Sequence, residues 1–199
     1  MEEKVKNKPI LIIFCGKSAS GKSSIVRYLL EHIPNSQQVK ADTTRPKRGS
    51  KDKEYTFISK KAYLEREKAN QYILSNKFRD WYYGFPIKAF QENKINLCIA
   101  TPKDLAKLAK TFASWNIYVI YLDVPADVRL KRSAARRGHL CFEHIRRLFS
   151  DYFDFKNIDK ILSSNFKKEN IFSPLQYKEK TLFLSAYEIF HFIQGKIIE

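Results

Sequence analysis

The stretch Ile10-Leu11-Ile12-Ile13-Phe14-Cys15-Gly16-Lys17-Ser18-Ala19-Ser20-Gly21-Lys22-Ser23 decides the fold of this chain. Its last eight residues follow the pattern G-x-x-x-x-G-K-[ST], in which the glycines allow consecutive backbone N–H groups to turn inward around an anion. In this pattern the lysine, Lys22, reaches the terminal phosphates of a nucleotide, and the Ser23 hydroxyl sits on Mg²⁺. The sequence therefore predicts a loop that binds a nucleoside triphosphate.

The segments on either side of the loop have the character that the motif requires. Residues 10–14 form a short apolar run typical of a buried strand, and residues 23–30 have helical spacing. Strand-like runs at 95–100 and 117–122 then alternate with helical segments at about 102–114, 126–137, 141–155 and 184–198. This alternation predicts an α/β fold of the P-loop NTPase type, with a parallel sheet flanked by helices and ligands at the carboxyl ends of its strands.

Residues 42–85 differ from the rest of the chain. They open with the loop Asp42-Thr43-Thr44-Arg45-Pro46-Lys47-Arg48-Gly49 and continue as an aromatic-rich stretch with three strand candidates and one helix near 59–69. Because this stretch interrupts the alternation at the ligand-binding edge, we predict a small inserted subdomain for a second substrate. Tyr63 and Tyr72 are expected in its core. The whole chain, 1–199, is predicted to be one domain with its core at about 9–41 and 86–199.

Arginines mark two further places where an anion is expected. Residues 129, 132 and 136 are arginines on one face of a predicted helix, and Arg146-Arg147 follow on the next helix. We therefore expect residues 129–150, approximately, to form a mobile lid that clamps a phosphoryl group. Asp151 and Asp154 could pair with Arg147 and Arg146. The second place is the loop that holds Arg45 and Arg48, where two guanidinium groups three residues apart can grip one phosphate.

Composition narrows the function classes. The 199 residues carry a net charge of +16, which favours polyanionic partners, either a nucleotide in a cleft or a nucleic acid on a long basic surface. The sequence has no apolar run long enough for a membrane span, no secretory signal at its start and three cysteines without C-x-x-C spacing, so we expect reduced thiols and a cytoplasmic protein. The aromatic-rich segment 183–193 packs on the core or forms a dimer contact, giving a monomer or a homodimer.

Taken together, the motifs resemble the guanylate kinase family of nucleoside monophosphate kinases over residues 9–165. The family's phosphate loop matches residues 16–23, its T-T-R-x-x-R substrate loop matches 43–48, and its Y-Y-G matches 82–84. Its lid, R-x-x-x-R-G with a later acidic residue and R-L, resembles residues 132–138 with Glu143 and Arg147-Leu148. Residues 159–165 resemble the family segment whose loop holds adenine.

The resemblance implies an ATP-dependent kinase that phosphorylates a nucleoside monophosphate, GMP or dGMP above others, with Mg²⁺ as cofactor. It assigns the transferring phosphoryl group to Lys22, Arg132, Arg136 and Arg147. It assigns the acceptor to Asp42, Arg45, Arg48, Tyr55 and Tyr83. ATP is implied to contact Gly16, Ser18, Ala19, Ser20, Gly21, Lys22, Ser23, Ser24 and Asn165. Mg²⁺ is expected on Ser23, with Asp42 or Asp123 as the supporting carboxylate.

The chain departs from the family at the positions that read the base. Leu74 stands where the family places a glutamate, Phe85 follows Y-Y-G in place of a serine, and Ala41 replaces another serine. Residues 99–102 offer no carboxylate where the family has an acidic pair. These departures leave three alternatives open: a kinase of another phosphorylated acceptor, such as a modified deoxynucleotide or a ribose phosphate, a non-catalytic binding module, or a protein that acts on nucleic acid. The intact Gly21, Lys22 and Ser23 count against a binding module, and the lack of nucleic-acid-binding motifs counts against a protein that acts on nucleic acid.

Overall fold

The computed structural model describes residues 8–47, 49, 52, 54–137, 142–174 and 182–198. The strands, in chain order, are β1 (Ile10–Gly16), β2 (Ser36–Val39), β3 (Asp42–Thr43), β4 (Thr56–Phe57), β5 (Tyr72–Phe78), β6 (Trp81–Pro86), β7 (Ile95–Ile99), β8 (Asn116–Leu122) and β9 (Ile171–Phe172). The helices are α1 (Lys22–His32), α2 (Lys60–Lys68), α3 (Pro102–Thr111), α4 (Ala126–Arg137), α5 (Phe142–Phe155), α6 (Ile158–Asn165) and α7 (Leu182–Ile198).

The main sheet is parallel and five-stranded, in the order β2-β7-β1-β8-β9. The central strand β1 is buried on both faces because its side chains alternate between two apolar layers. Leu11, Ile13 and Cys15 face one layer, which α3 and α6 complete. Ile12 and Phe14 face the other, which α1 and α7 complete. The prediction of a parallel α/β sheet flanked by helices is confirmed.

Residues 42–86 form a second sheet, in the order β4-β3-β6-β5. β3 is parallel to β4 and antiparallel to β6, and β5 and β6 form a hairpin. Helix α2 closes one face of this sheet with Tyr63, whose fully buried ring stacks 4.6 Å from that of Tyr72. The expected core of the insertion is confirmed at Tyr63, and Tyr72 is half-buried against it.

Helices α6 and α7 complete the described part of the fold. Residues 159–165, which resemble a loop-bearing family segment, lie within helix α6, and the edge strand β9 follows only at residues 171–172. The apolar periodicity of residues 158–162 explains this, because Ile158 and Leu162 are one helical turn apart and both enter the core. The tail helix α7 packs on the core through Ile189 and Ile193. Among the described residues no helix is both long and apolar enough to cross a bilayer.

Candidate functional site

The phosphate loop joins the carboxyl end of β1 to the start of α1. Gly21 caps α1 with φ +102°, a conformation that L side chains rarely adopt, and a Cβ there would clash with Cδ1 of Leu182. A Cβ on Gly16 would lie 2.7 Å from the Leu122 carbonyl oxygen. Glycine is therefore required at both fixed positions. Ala19 adopts φ +62° without being glycine, so the loop holds a strained residue at its tip.

Lys22 is folded back against the loop that precedes it. Its Nζ donates to the Gly16 carbonyl at 2.6 Å, to the Lys17 carbonyl at 3.0 Å and to Ser20 Oγ at 3.4 Å. Burial lowers the pKa of the Lys22 ammonium, while Cys15 and Asp151 act in the opposite direction. The lysine is thus held at the loop by neutral oxygen acceptors, which a phosphate oxygen can replace with a full negative charge.

A carboxylate from a distant helix contacts the loop. The backbone N–H of Ser18 donates to both oxygens of Asp151, at 3.1 and 3.0 Å, and Ser18 Oγ donates to Oδ1 at 3.1 Å. The same carboxylate accepts from Arg129 Nη1 at 2.7 Å. The loop amide therefore already binds an anionic group of the chain itself. The sequence did not indicate this contact, since Asp151 lies 133 residues from Ser18.

The predicted lid arginines lie on α4 and α5. Arg132 Nη1 donates to the Ser20 carbonyl at 3.1 Å, and Arg147 lines a small cavity with Ser18, Ala19 and Arg129. Arg136 lies in α4, but its side chain is outside the described part of the structure, as is that of Glu143. The structure thus brings Arg132 and Arg147 beside the phosphate loop.

Three expectations about the lid need correction. Arg129 was expected on an anion-facing helix surface, but it is 6% exposed and bonded to Asp151 and to the Val124 carbonyl, so it serves the framework. Asp151 was expected to pair with Arg147, and its ion-pair partner is Arg129. Asp154 was expected to pair with Arg146, and it lies 2.9 Å from Lys103 Nζ. In each case tertiary packing supplied a partner from another element.

The residues predicted to form the second anion site lie on or beside the inserted sheet. Arg45 is 5% exposed, and its guanidinium lies 5.5 Å from the Tyr55 ring and 5.3 Å from the Phe57 ring. The Tyr55 ring is in turn 5.7 Å from that of Tyr83. Arg45 Nη2 donates to Asp52 at 2.9 Å. The structure thus brings together Arg45, Tyr55 and Tyr83, whereas Arg48 lies outside the described residues.

The two carboxylates proposed for Mg²⁺ have different environments. Asp42 is 2% exposed, and its Oδ2 accepts from Arg66 Nη1 at 2.5 Å and from the Tyr72 hydroxyl at 2.8 Å, so it braces the insertion. Asp123 follows β8, with a side chain 58% exposed and Oδ1 3.4 Å from Lys17 Nζ. Asp123 is the better placed because it is accessible beside the loop. Within the described residues no group of three or more His, Cys, Asp and Glu side chains could hold a metal ion.

Asp104 is a buried carboxylate that sequence reasoning missed. It caps α3 by accepting from the Thr101 N–H at 3.0 Å, and it accepts from Asn76 Nδ2 on β5 at 3.0 Å. This is a direct polar link between the main sheet's helix α3 and the inserted sheet. Its sequence signal was the capping box that begins at Thr101, followed by Pro102 at the first helical position.

The positions that depart from the resemblance meet in one apolar cluster. Leu74 and Phe85 are direct cross-strand partners of β5 and β6. Phe85, Ala41 and Ala100 are at most 8% exposed, and Leu74 packs against the cluster that contains all three. Asn165, the expected adenine contact, ends α6 with its side-chain amide bonded to the Ile161 carbonyl at 2.7 Å.

A glycine-rich phosphate loop after the central strand of a parallel sheet, with helices on both faces, defines the class of protein as a P-loop NTPase fold. The sequence model of the guanylate kinase family matches residues 6–161. The chain belongs to the guanylate kinase family.

Individual relatives agree with this assignment. The chain is 27% identical over 135 residues to a guanylate kinase of Thermotoga maritima, a match that covers 64% of each protein. It is 34% identical over 92 residues to a guanylate kinase of Aster yellows witches'-broom phytoplasma, covering 45% of the chain and 44% of the relative. These matches span less than two thirds of either relative. The crystal structure of guanylate kinase from Anaplasma phagocytophilum has the same fold, with a TM-score of 0.65 over 97% of the chain and 88% of that protein, at 14% identity.

Proposed function

We propose that this protein is an ATP-dependent nucleoside monophosphate kinase that transfers the γ-phosphoryl group of ATP to a nucleoside or deoxynucleoside monophosphate, with GMP or dGMP as the foremost acceptor. The observation that carries the proposal is the pairing of two anion sites on two sheets. One is the phosphate loop after β1, and the other surrounds Arg45 with Tyr55 and Tyr83. Transfer of a phosphoryl group from ATP to the phosphate of a second nucleotide requires one such site for each molecule.

The loop residues fit a nucleotide triphosphate. Two contacts support this: the Ser18 N–H donates to an anionic group, the Asp151 carboxylate, and the Lys22 ammonium has neutral acceptors as its hydrogen-bond partners. Gly21 caps α1 with a positive φ, and the amides at the start of a helix suit an anion. Ser23, half-buried at the start of α1, would bind Mg²⁺ with support from Asp123. When bound, MgATP supplies the phosphoryl group that is transferred.

The chain's cations then provide what phosphoryl transfer needs, which is positioning and charge stabilisation. Lys22 exchanges its carbonyl acceptors for phosphate oxygens. Arg132 and Arg147, both beside the loop, neutralise the charge on the phosphoryl oxygens during transfer, together with Arg136. No side chain is required as a general base. The paired helices α4 and α5, which contact the loop through Arg129 and Asp151, would exclude water from the site.

The acceptor phosphate would bind at Arg45 by displacing Asp52 from the guanidinium. Tyr55 and Tyr83 would add hydroxyl donors from the same sheet, and the neighbouring arginine, Arg48, would complete the site. Arg45 is preorganised for this role because the rings of Tyr55 and Phe57 hold its guanidinium in place. Binding therefore costs little additional side-chain entropy.

A second candidate acceptor is favoured by the apolar cluster of Ala41, Leu74, Phe85 and Ala100. Buried apolar side chains cannot satisfy the hydrogen-bonding edge of guanine, and an unsatisfied polar group costs about 1–3 kcal/mol. The alternative is a kinase whose acceptor carries a phosphate but a different base or none, such as a modified deoxynucleotide or a ribose bisphosphate. Both candidates share the phosphate chemistry described above.

A nucleotide panel tests the proposal. Purified protein is incubated with MgATP and, in separate reactions, GMP, dGMP, other nucleoside monophosphates and ribose phosphates, and ADP production is measured. Lys22→Ala should abolish transfer, whereas Lys107→Ala on the exposed face of α3 should not. Arg45→Ala should raise the acceptor KM, whereas Arg27→Ala on the exposed face of α1 should leave it unchanged. Transfer to ribose phosphates alone would favour the second candidate. Binding of nucleotides without transfer to any acceptor would refute both candidates and indicate a binding module.

A further inference from the structure

We infer that Asp151 is a positioning residue, whose carboxylate ties the lid helices α4 and α5 to the phosphate loop and thereby sets where the lid arginines stand. The inference rests on the proposed kinase function for its catalytic consequence, but its structural part is independent of that function. Three observations carry it: the hydrogen bonds to the loop, the buried ion pair, and the position of Arg147 on the same helix.

The contact to the loop is multiple and directional. Ser18 donates its backbone N–H to both Asp151 oxygens at 3.0–3.1 Å and its hydroxyl to Oδ1 at 3.1 Å. Three donor–acceptor contacts to one charged group fix both the distance and the orientation of the carboxylate. Because Asp151 lies on α5, these contacts also hold that helix against the loop.

The ion pair adds the second lid helix to the same point. Arg129 Nη1 donates to Asp151 Oδ2 at 2.7 Å and to the Ser18 carbonyl at 3.3 Å, and its Nε donates to the Val124 carbonyl at 3.0 Å. The two side chains are only 7% and 11% exposed. A buried pair of this kind is weak evidence for a gain in stability, because desolvation offsets its attraction. The pair does, however, bring α4, α5 and the phosphate loop into contact at one carboxylate.

The consequence for the site follows from helix geometry. Arg147 precedes Asp151 by four residues and therefore lies on the same face of α5, one turn closer to the amino end. It lines the cavity that Ser18, Ala19, Arg129 and Asp151 also line. On α4, Arg132 follows Arg129 by three residues and reaches the Ser20 carbonyl at 3.1 Å. A shift at Asp151 would therefore displace both lid arginines relative to the loop.

The test distinguishes a role of Asp151 in positioning the lid arginines from a role in stability alone. Asp151→Asn removes the charge, and the double variant Arg129→Met with Asp151→Leu replaces the ion pair by apolar side chains of similar size, a change that is often neutral or stabilising. Asp154→Asn, one turn along on α5 and facing Lys103, is the matched control. We expect Asp151→Asn and the double variant to lose about 10–100-fold in kcat with little change in acceptor KM. The double variant should melt near the wild type, and the control should keep its kcat.

The rate of hydrogen exchange at the Ser18 amide measures its contact with the Asp151 carboxylate and does not depend on catalytic turnover. It should be slow in the wild type and in Asp154→Asn, and faster in Asp151→Asn and in the double variant. Recovery of kcat in the double variant would overturn the inference, because a purely structural pair is replaceable by packing. An unprotected Ser18 amide in the wild type would also overturn it. If the wild type transfers phosphate to no acceptor, the kinase proposal fails, and the Ser18 exchange still decides the structural part.

Discussion

Gly84 lies where the inserted sheet has no room for a side chain, so Gly84→Ala tests the packing that supports the proposed acceptor site. A Cβ at this position would lie 2.6 Å from the Tyr63 hydroxyl and 2.8 and 3.0 Å from Cδ1 and Cε1 of Tyr72. Neither ring can yield easily. Tyr63 is fully buried and hydrogen-bonded to Ser75 at 2.8 Å, and Tyr72 is bonded to Asp42 at 2.8 Å.

Overpacking of this kind costs about 1–3 kcal/mol. For a domain of this size the loss corresponds to a melting temperature about 2–12 °C lower. We expect the acceptor KM to rise as well, because Tyr83 precedes Gly84 on β6 and belongs to the proposed acceptor site. Differential scanning calorimetry and the acceptor titration measure the two effects.

The companion variant Tyr63→Phe removes the hydroxyl that the new methyl group would meet. Alone it should cost about 0.5–1.5 kcal/mol through its lost hydrogen bond, and combined with Gly84→Ala it should cost less than the sum of the two changes. Gly195→Ala is the control, since a Cβ there meets nothing within 4 Å, and this helical substitution should stabilise by up to about 1 kcal/mol. A Gly84→Ala protein that melts with the wild type, or strictly additive losses in the double variant, would refute the reasoning.

Three further changes have defined outcomes. Arg66→Met should destabilise the fold by about 1–3 kcal/mol in urea titrations, because it leaves the buried Asp42 carboxylate without its cation; an unchanged midpoint would contradict the bracing role of Asp42. Asp104→Ala should cost about 0.5–2 kcal/mol through the lost α3 cap, and Asn76→Ala, which loses only the link to β5, should cost less. Burial raises the pKa of Cys15 from 9.0 to about 12, so the stability that its protonated thiol contributes is present below pH 9 and lost as the pH rises toward 12. The free energy of unfolding of Cys15→Ala should therefore fall less steeply than that of the wild type as the pH rises from 9 toward 12. An equal pH dependence in the two proteins would count against the burial effect.

Much of the fold could be predicted from the sequence because its signals are local. The glycine spacing at residues 16–23 and the apolar run before it predict a strand, a phosphate loop and a helix, and the structure has β1 and α1 at those places. The spacing of apolar residues likewise predicted α4, α5 and α7 to within a few residues. The sequence left residues 159–165 without an assignment to strand or helix, since a short apolar run suits either, and packing against α3 decided for the helix.

The candidate site could be predicted only as a set of residues, not as an arrangement. The sequence was enough to predict a phosphate loop and to place Arg45, Tyr55 and Tyr83 in one inserted segment, because each of these predictions depends on neighbours along the chain. The tertiary structure alone decided which carboxylates are engaged: Asp151 with Ser18 and Arg129, and Asp42 with Arg66 and Tyr72. The physical reason is that a buried charge needs a partner nearby in space, wherever that partner lies along the chain. Ser18 and Asp151 are 133 residues apart, so no local sequence pattern indicates their contact.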